Sequence, residues 1–213
     1  MKIKHIIFDL DGTLSATAQA TALAIEEARR TFEYLPPVTD AQIKEAMGLH
    51  GLEFHMKLFP GVEKEKLYPI EKAIDELELK NITKLGRDIL FPGVYSMLEK
   101  LHIEGYSLYI ASTGSHTHVH GTLEAANIGR FFKEVHCNEP QKINMVGKIV
   151  NGNDPSQWAM LGDMFKDSEA ARGNNILALG AGFGYLSVED EKLFDLVLRT
   201  PNDMFNFSQN ERS

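Results

Sequence analysis

The stretch KHIIFDLDGTL, residues 4–14, joins an apolar run to two carboxylates that flank a single leucine. The apolar run predicts a buried β-strand, and Asp9 and Asp11 stand where that strand should end. Two like charges at the end of a buried strand are unfavourable unless they cap the next helix or hold a cation. This stretch by itself leaves both interpretations open.

Short apolar segments alternate with amphipathic helical patterns along most of the chain, which indicates parallel βαβ units. The segment between Leu14 and Phe91 breaks this rhythm because its periodicity is helical throughout. We therefore predict an α/β fold whose Rossmann-like parallel-sheet core comprises residues 1–14 and 92–213, with an inserted all-helical cap domain at residues 15–91. The predicted strands are residues 3–8, 106–111, 134–137, 158–162, 175–180 and 195–198.

The composition of the chain limits which partners and which cellular compartment we expect. The 213-residue chain carries a net charge of −8 and has a pI near 5.5, which argues against nucleic acid or an anionic membrane as the main partner. Cys137 is the single cysteine, so no intramolecular disulfide can form. With no signal-like or membrane-length apolar run, the sequence predicts a cytoplasmic protein, either a monomer or a homodimer.

Polar residues follow three of the predicted strands directly. Because the carboxyl ends of parallel strands meet at one edge of a sheet, these residues should share a crevice. Several carboxylates cannot all stay ionised there without a cation, and Mg²⁺ prefers oxygen ligands of this kind. The residues concerned are Asp9, Asp11, Ser112, Thr113, Asp163 and, one helical turn later, Asp167.

The same segments resemble a known family. DLDGTL (9–14), IASTG (110–114), a downstream lysine and GDMFKD (162–167) follow, in order, the four motifs of the haloacid dehalogenase-like (HAD) hydrolase superfamily. The helical insertion after the first motif resembles that family's C1-type cap. Within that superfamily, the chain resembles the phosphatase branch that is phosphoglycolate phosphatase-like or β-phosphoglucomutase-like.

The resemblance implies a role for each residue of these motifs. Asp9 would be the nucleophile that forms an aspartyl-phosphate, and Asp11 would be the general acid and base. Asp9, the backbone carbonyl of Asp11, and Asp163 would bind Mg²⁺, with Asp167 orienting a metal-bound water. The phosphoryl group would be held by the hydroxyl of Ser112 and by the backbone N–H groups of Gly12, Thr13 and Thr113.

The phosphate-binding lysine has two candidates. Lys142 in EPQKINMVGKIV stands at the start of a predicted helix, at the spacing that the family uses. Lys148 lies inside that helix and closer in sequence to Asp163. We favour Lys142.

The resemblance predicts an Mg²⁺-dependent phosphatase that acts on a small phosphorylated metabolite. A phosphomutase is the alternative, but Thr21 stands where mutases of this branch usually have a histidine, and MGLHGLEF offers no arginine. A dehalogenase is disfavoured because those enzymes lack an acid at the position of Asp11. A non-catalytic phospho-acceptor or binding protein is the alternative from another class.

Two further signals concern ligands outside the motifs. His116 and His120 in HTHVH have metal-ligand spacing on one helix face, but the sequence shows no third ligand near them, so a metal role is disfavoured. His50, His55, Lys57 and Arg87 are candidate substrate contacts from the cap, although solvated surface positions are the simpler interpretation of each.

Overall fold

A computed structural model describes residues 3–49 and 51–210. Its sheet has six parallel strands in the order β3-β2-β1-β4-β5-β6, which confirms the predicted α/β class and every predicted strand. The strands are β1 (His5–Phe8), β2 (Ser107–Ser112), β3 (Phe132–Cys137), β4 (Trp158–Gly162), β5 (Leu177–Ala181) and β6 (Leu196–Leu198).

Strand β1 lies in the middle of the sheet, between β2 and β4. Ile7 and Phe8 are fully buried on opposite faces, as expected for a strand that is covered on both sides. Strands β2 and β3 lie on one side of β1, and β4, β5 and β6 lie on the other, so the strand order switches at β1. The loops after β1, β2 and β4 therefore open into one crevice.

Helices cover both faces of the sheet. Apolar side chains of α5, α6 and α9 pack on one face, and those of α7 and α8 pack on the other. Within the described ranges, no helix combines the length and apolar character needed to cross a bilayer. The helices are α1 (Ala18–Arg29), α2 (Asp40–Ala46), α3 (Leu52–Leu58), α4 (Lys64–Leu85), α5 (Val94–Ile103), α6 (His116–Ala125), α7 (Lys142–Val150), α8 (Phe165–Gly173) and α9 (Asp203–Asn210).

Helices α1 to α4 enclose an apolar cluster of their own, with Ile25, Ile43 and Ile70 fully or almost fully buried. Helix α2 begins with a capping box: the Thr39 hydroxyl accepts a hydrogen bond from the N–H of Gln42, whose side chain accepts one from the N–H of Thr39. This local signal fixes where the helix starts. A domain has a hydrophobic core of its own, and these four helices have one.

The two connections between these helices and the sheet run side by side. Ser15 and Leu90 form an antiparallel bridge, and the N–H of Phe91 donates to the carbonyl of Leu14 at 3.0 Å. Both crossings are thus tied by backbone hydrogen bonds at one place. Together with the separate apolar cluster, this supports our proposal that residues 15–91 form a cap domain.

The turn after β1 depends on Gly12. Its φ of +80° lies in the left-handed region, and a Cβ at this position would collide with the carboxyl group of Asp163. Its carbonyl accepts a hydrogen bond from the N–H of Tyr185 at 2.9 Å. The absence of a side chain at Gly12 therefore lets the first loop approach the loop after β4.

We predict that Gly12→Ala destabilises the protein more than Gly105→Ala does. Gly105 has a φ of +82° and open space around its Cβ position, so it is a matched control for backbone strain alone. Both variants should lose about 1–2 kcal/mol from the left-handed conformation, and Gly12→Ala should lose roughly 1–3 kcal/mol more through overpacking. Denaturant unfolding measures both losses, and equal losses would contradict the close approach.

Candidate active site

A buried lysine joins two of the predicted carboxylates. Asp9 follows β1, its side chain is 8% exposed, and its Oδ1 lies 2.8 Å from the Nζ of Lys142. The same Nζ lies 2.7 Å from Oδ1 of Asp167, whose side chain is fully buried. Lys142 is the first residue of α7, so the start of this helix positions its ammonium between the two acids. Lys148 instead is exposed and pairs with Glu139.

Asp163 and Asp167 hold the loop after β4. The hydroxyl of Thr13 donates to Oδ1 of Asp163 at 2.7 Å, which links the first loop to the fourth strand. Oδ2 of Asp167 accepts hydrogen bonds from the backbone N–H groups of Asp163 and Met164 at 3.1 and 2.9 Å. Both oxygens of Asp167 thus have partners within the protein.

Three of these carboxylates fit a divalent cation. Asp9, Asp163 and Asp167 each offer one oxygen, and the three oxygens lie within 4.8 Å of one another. Burial raises the pKa of Asp9 to about 7, although Lys142 opposes this and Asp167 adds to it. Burial also raises the pKa of Asp163 well above its usual value, reinforced by Asp9 and Asp167. Lys142 alone therefore leaves excess negative charge, which a hard cation would neutralise.

The side chain of Asp11 turns away from this cluster. Its carboxylate lies 2.9 and 3.0 Å from Nε2 of His118, and it accepts a hydrogen bond from the hydroxyl of Thr17 at 2.6 Å. Burial by itself would raise the pKa of Asp11, but His118 and Thr17 outweigh it and hold that pKa below the usual value. In this arrangement Asp11 is a carboxylate with a charged donor beside it.

His118 connects the sheet to the helices of the insertion. Its Nδ1 lies 2.9 Å from Oε2 of Glu78 on α4, and the hydroxyl of Thr21 on α1 donates to the same carboxyl group. Burial lowers the pKa of His118, but Asp11 and Glu78 raise it by more, so it lies well above 6.5. A protonated imidazole therefore bridges two carboxylates from different parts of the chain.

Ser112 and Thr113 lie where the sequence predicts them, after β2. Ser112 is buried, and its hydroxyl oxygen accepts a hydrogen bond from the N–H of Gly114 at 3.1 Å. The hydroxyl of Thr113 donates to the carbonyl of Gly48 at 3.4 Å. Lys166 also donates to this carbonyl at 2.8 Å, so two residues of the core hold the loop before α3.

The backbone N–H groups of Gly12 and Thr13 differ from the expected arrangement. That of Gly12 donates to the carbonyl of Ser15 at 2.8 Å, and that of Thr13 donates to the carbonyl of Leu10 at 3.3 Å. The turn itself uses both donors, so they do not point freely at a ligand. What Thr13 contributes in the structure is its hydroxyl, which positions Asp163.

A cavity of about 120 Å³ lies between the insertion and the loops after β1 and β2. Its lining includes Asp11, His118 and Thr113 of the core and Glu71, Asp75 and Glu78 of α4. Partial burial raises the pKa of Asp75 to about 6, with Glu78 and Glu71 adding to the effect. Among the described residues that line the cavity, none is a lysine or an arginine.

His55 is the cap candidate that lies at this cavity. It is 3% exposed, and burial lowers its pKa to about 4, although the backbone of Gly51 and the charge of Glu78 oppose this. Neither ring nitrogen has a hydrogen-bond partner of good geometry among the described residues. A buried neutral imidazole without partners is costly, and a polar ligand group in the cavity would satisfy it. Lys57 pairs with Glu45 at the surface, Arg87 lies over the ring of Tyr95, and His50 is outside the described residues.

His118, Glu78 and Thr17 lie at the site but belong to none of the four motifs. In the segment HTHVH only the outer histidines have metal-ligand spacing, yet His118 lies in the first turn of the helix that follows the Ser112 loop. That position alone places a side chain near the crevice. Glu78 carries no local signal, because its approach depends on how α4 packs against α6.

We predict that His118→Gln lowers the free energy of unfolding by about 3 kcal/mol, because it leaves two carboxylates without their shared cation. The folded pKa of His118 lies above its ordinary 6.5, so this contribution is complete below pH 6.5 and is lost as the pH rises through the folded pKa. Denaturant unfolding in EDTA at several pH values measures the difference in free energy of unfolding between His118→Gln and the unmodified protein. His120→Gln, an exposed change on the same helix, is the control. A difference between the His118 variant and the unmodified protein that does not change with pH would contradict the ion pairs.

Comparison with known proteins identifies the family of this chain. A family model described as haloacid dehalogenase-like hydrolase matches residues 6–181. A phosphoglycolate phosphatase of Vibrio cholerae is 27% identical over 198 residues, which cover 86% of each protein. A pyrophosphatase PpaX of Listeria monocytogenes is 26% identical over 223 residues, which cover 99% of this chain and 98% of the relative.

Solved structures share the fold. A predicted phosphoglycolate phosphatase from Haemophilus somnus matches with a TM-score of 0.82 and 22% identity, over 98% of this chain and 99% of its own. A haloacid dehalogenase-like family hydrolase from Streptococcus pneumoniae matches with a TM-score of 0.80 and 22% identity, over 96% and 98% of the two chains. The motifs, the sheet order and the family match together establish that this chain belongs to the haloacid dehalogenase-like hydrolases.

Proposed function

We propose that this chain is an Mg²⁺-dependent phosphatase that hydrolyses a small phosphorylated metabolite through an aspartyl-phosphate on Asp9. The observation that carries the proposal is the buried set of Asp9, Lys142, Asp163 and Asp167 at the end of the central strand, with Asp11 facing a cavity. Relatives that are named as phosphatases support the same reaction class.

In the first half-reaction, a carboxylate oxygen of Asp9 attacks phosphorus and the bond from phosphorus to the leaving oxygen breaks. The leaving oxygen takes a proton from Asp11, which must first have accepted one. His118 lies 2.9 Å from Asp11 and is the nearest charged donor to it. This contact lowers the pKa of Asp11 and raises that of His118, so it opposes transfer of a proton from His118 to Asp11. We infer that Asp11 takes its proton from solvent before the leaving oxygen needs it, and that His118 positions its carboxyl group.

In the second half-reaction, Asp11 removes a proton from water, and the resulting oxygen attacks the phosphorus of the aspartyl-phosphate. Inorganic phosphate leaves and Asp9 returns to its carboxylate form. Asp11 thus acts first as an acid and then as a base. This role requires that its side chain reach the leaving group rather than bind the metal. The side chain of Asp11 satisfies this requirement because it faces His118 and the cavity.

The residues that line the crevice would bind the phosphoryl group. Lys142 would neutralise one phosphoryl oxygen, and the hydroxyl of Ser112 would donate to another. Asp9, Asp163 and the backbone carbonyl of Asp11 would hold Mg²⁺, with Asp167 placing a metal-bound water and Lys142. Bound Mg²⁺ would offset the negative charge of the carboxylates and of the transferring phosphoryl group.

A phosphomutase is the alternative because it also needs both Asp9 and Asp11. Its product keeps the phosphate on carbon, whereas a phosphatase releases one inorganic phosphate for each substrate consumed. The hydroxyl of Thr21 donates to Glu78, so this position is engaged in the link between α1 and α4. Phosphate release measured against substrate loss separates the two functions.

We predict that Asp9→Asn abolishes phosphate release from every ester, whereas the effect of Asp11→Asn depends on the leaving group. An amide is a poor nucleophile, so loss of Asp9 cannot be compensated. Loss of the acid should lower kcat about 10²–10⁴-fold for an alkyl phosphate and far less for p-nitrophenyl phosphate, whose leaving group needs no proton.

Steady-state assays with Mg²⁺ measure both effects, and EDTA should stop the unmodified enzyme until Mg²⁺ is restored. Glu99→Gln, an exposed change on α5, is the control. Phosphate release by Asp9→Asn at the unmodified rate would refute the proposal.

The charge of the cavity bears on the substrate. Asp75 and Glu78 are among the acidic residues that line the cavity, and no lysine or arginine is among its described lining residues. We therefore propose that the leaving group is neutral or cationic, because an anionic group would be repelled there. On this view the carboxylate of phosphoglycolate is unfavourable, even though relatives are named for that substrate.

We predict that O-phosphoethanolamine has a higher kcat/KM than propyl phosphate, and propyl phosphate a higher one than phosphoglycolate. Asp75→Asn should reduce the preference for the amine over the carboxylate by roughly tenfold, as expected for charges in a partly solvated site. Glu76→Gln, next to Asp75 but outside the cavity, should not. Preferred turnover of phosphoglycolate would contradict the charge argument and leave the phosphatase reaction intact.

A further inference from the structure

A cluster of nitrogen and sulfur ligands lies outside the candidate active site. His116 is the first residue of α6, and His120 lies one turn later on the same helix. Cys137 is the last residue of β3, and the register places it beside Ser112 at the end of β2. Because α6 starts soon after β2, this register brings the cysteine to the two histidines.

The three side chains have the separation that a small ion needs. Sγ of Cys137 lies 3.1 Å from Nδ1 of His116, and the two imidazole rings lie nearly parallel with centroids 6.2 Å apart. One ligand atom from each residue lies within 4.8 Å of the others. Neighbouring ligands in a tetrahedral zinc site lie roughly 3.3–3.6 Å apart, given Zn–N and Zn–S bonds of about 2.0 and 2.3 Å.

The sequence pattern points to only two of these three residues. His116 and His120 have i, i+4 spacing, but Cys137 is 17 residues further along the chain than His120, so the pattern shows no third ligand near them. The structure provides that ligand. His116 and His120 are exposed, so an ion can enter from solvent, while Cys137 is buried beneath them.

We propose that His116, His120 and Cys137 form a second metal site, which binds a divalent transition metal ion with affinity for nitrogen and sulfur, Zn²⁺ above all. Three protein ligands leave one tetrahedral position for water. The ligand set separates this site from the oxygen-only cluster of Asp9, Asp163 and Asp167, which suits Mg²⁺. A bound ion would join the start of α6 to the end of β3.

Binding at this site is coupled to proton release. The ion binds the thiolate of Cys137, so the thiol proton is released when the ion binds. An ion that binds the folded state alone also stabilises it. Because α6 carries His118 as well, an ion here would fix the helix that contacts Asp11.

The test is a Co²⁺ titration of the full chain, kept reduced, in excess Mg²⁺ that fills the carboxylate cluster. One equivalent should give tetrahedral Co²⁺ absorption in the visible and a thiolate-to-cobalt charge-transfer band in the near ultraviolet, and Zn²⁺ should abolish both. Oxygen ligands alone cannot give the charge-transfer band, so this readout does not depend on activity or on the proposed phosphatase reaction.

Cys137→Ser should lose the charge-transfer band, and His120→Gln should weaken Co²⁺ binding at least tenfold. His136→Gln is the matched control, since His136 adjoins Cys137 but pairs with Glu134. Circular dichroism in EDTA checks that each variant is folded, and the exposed His120 variant keeps the test valid if Cys137→Ser is unstable. No charge-transfer band in the unmodified protein, or equal Co²⁺ affinity in His120→Gln, would overturn the proposal.

Discussion

Lys142 forms the interaction on which the rest of the site depends. Its ammonium lies within 2.8 Å of both Asp9 and Asp167, and all three side chains are buried. Without it, the end of the central strand would hold buried carboxylates and no protein cation among them, an arrangement that costs several kcal/mol. The strand order, the close turn at Gly12 and the start of α7 all bring these groups together.

A second chain of contacts ties the chemistry to the insertion. Glu78 on α4 holds His118, and His118 holds Asp11, so the residue that we assign as acid and base contacts both the core and the helical segment. A shift of α4 would therefore alter the surroundings of Asp11 directly. We propose that closure of the cap over a substrate and the proton chemistry are coupled through this contact.

Local patterns explain what the sequence could predict. Strands β1, β2, β4 and β5 follow from nearly continuous apolar runs, and the start of α2 follows from Thr39. The meeting of Asp9 with Asp163 follows from the rule for parallel strands. Contacts set by tertiary packing could not be predicted. Glu78 reaches His118 only because α4 packs on α6, and Cys137 meets the histidines only through the register of β2 and β3.

The central claim is that Asp9 becomes phosphorylated, and trapping that phosphate tests it most directly. Asp11→Asn, incubated with Mg²⁺ and p-nitrophenyl phosphate and quenched in acid, should accumulate an acyl phosphate because the base for its hydrolysis is missing. Mass spectrometry of the digest should find the phosphate on Asp9, and Asp9→Asn should carry none. Phosphate on Ser112 or His118, or release of p-nitrophenol with no phosphate on Asp9 at any quench time, would contradict the account.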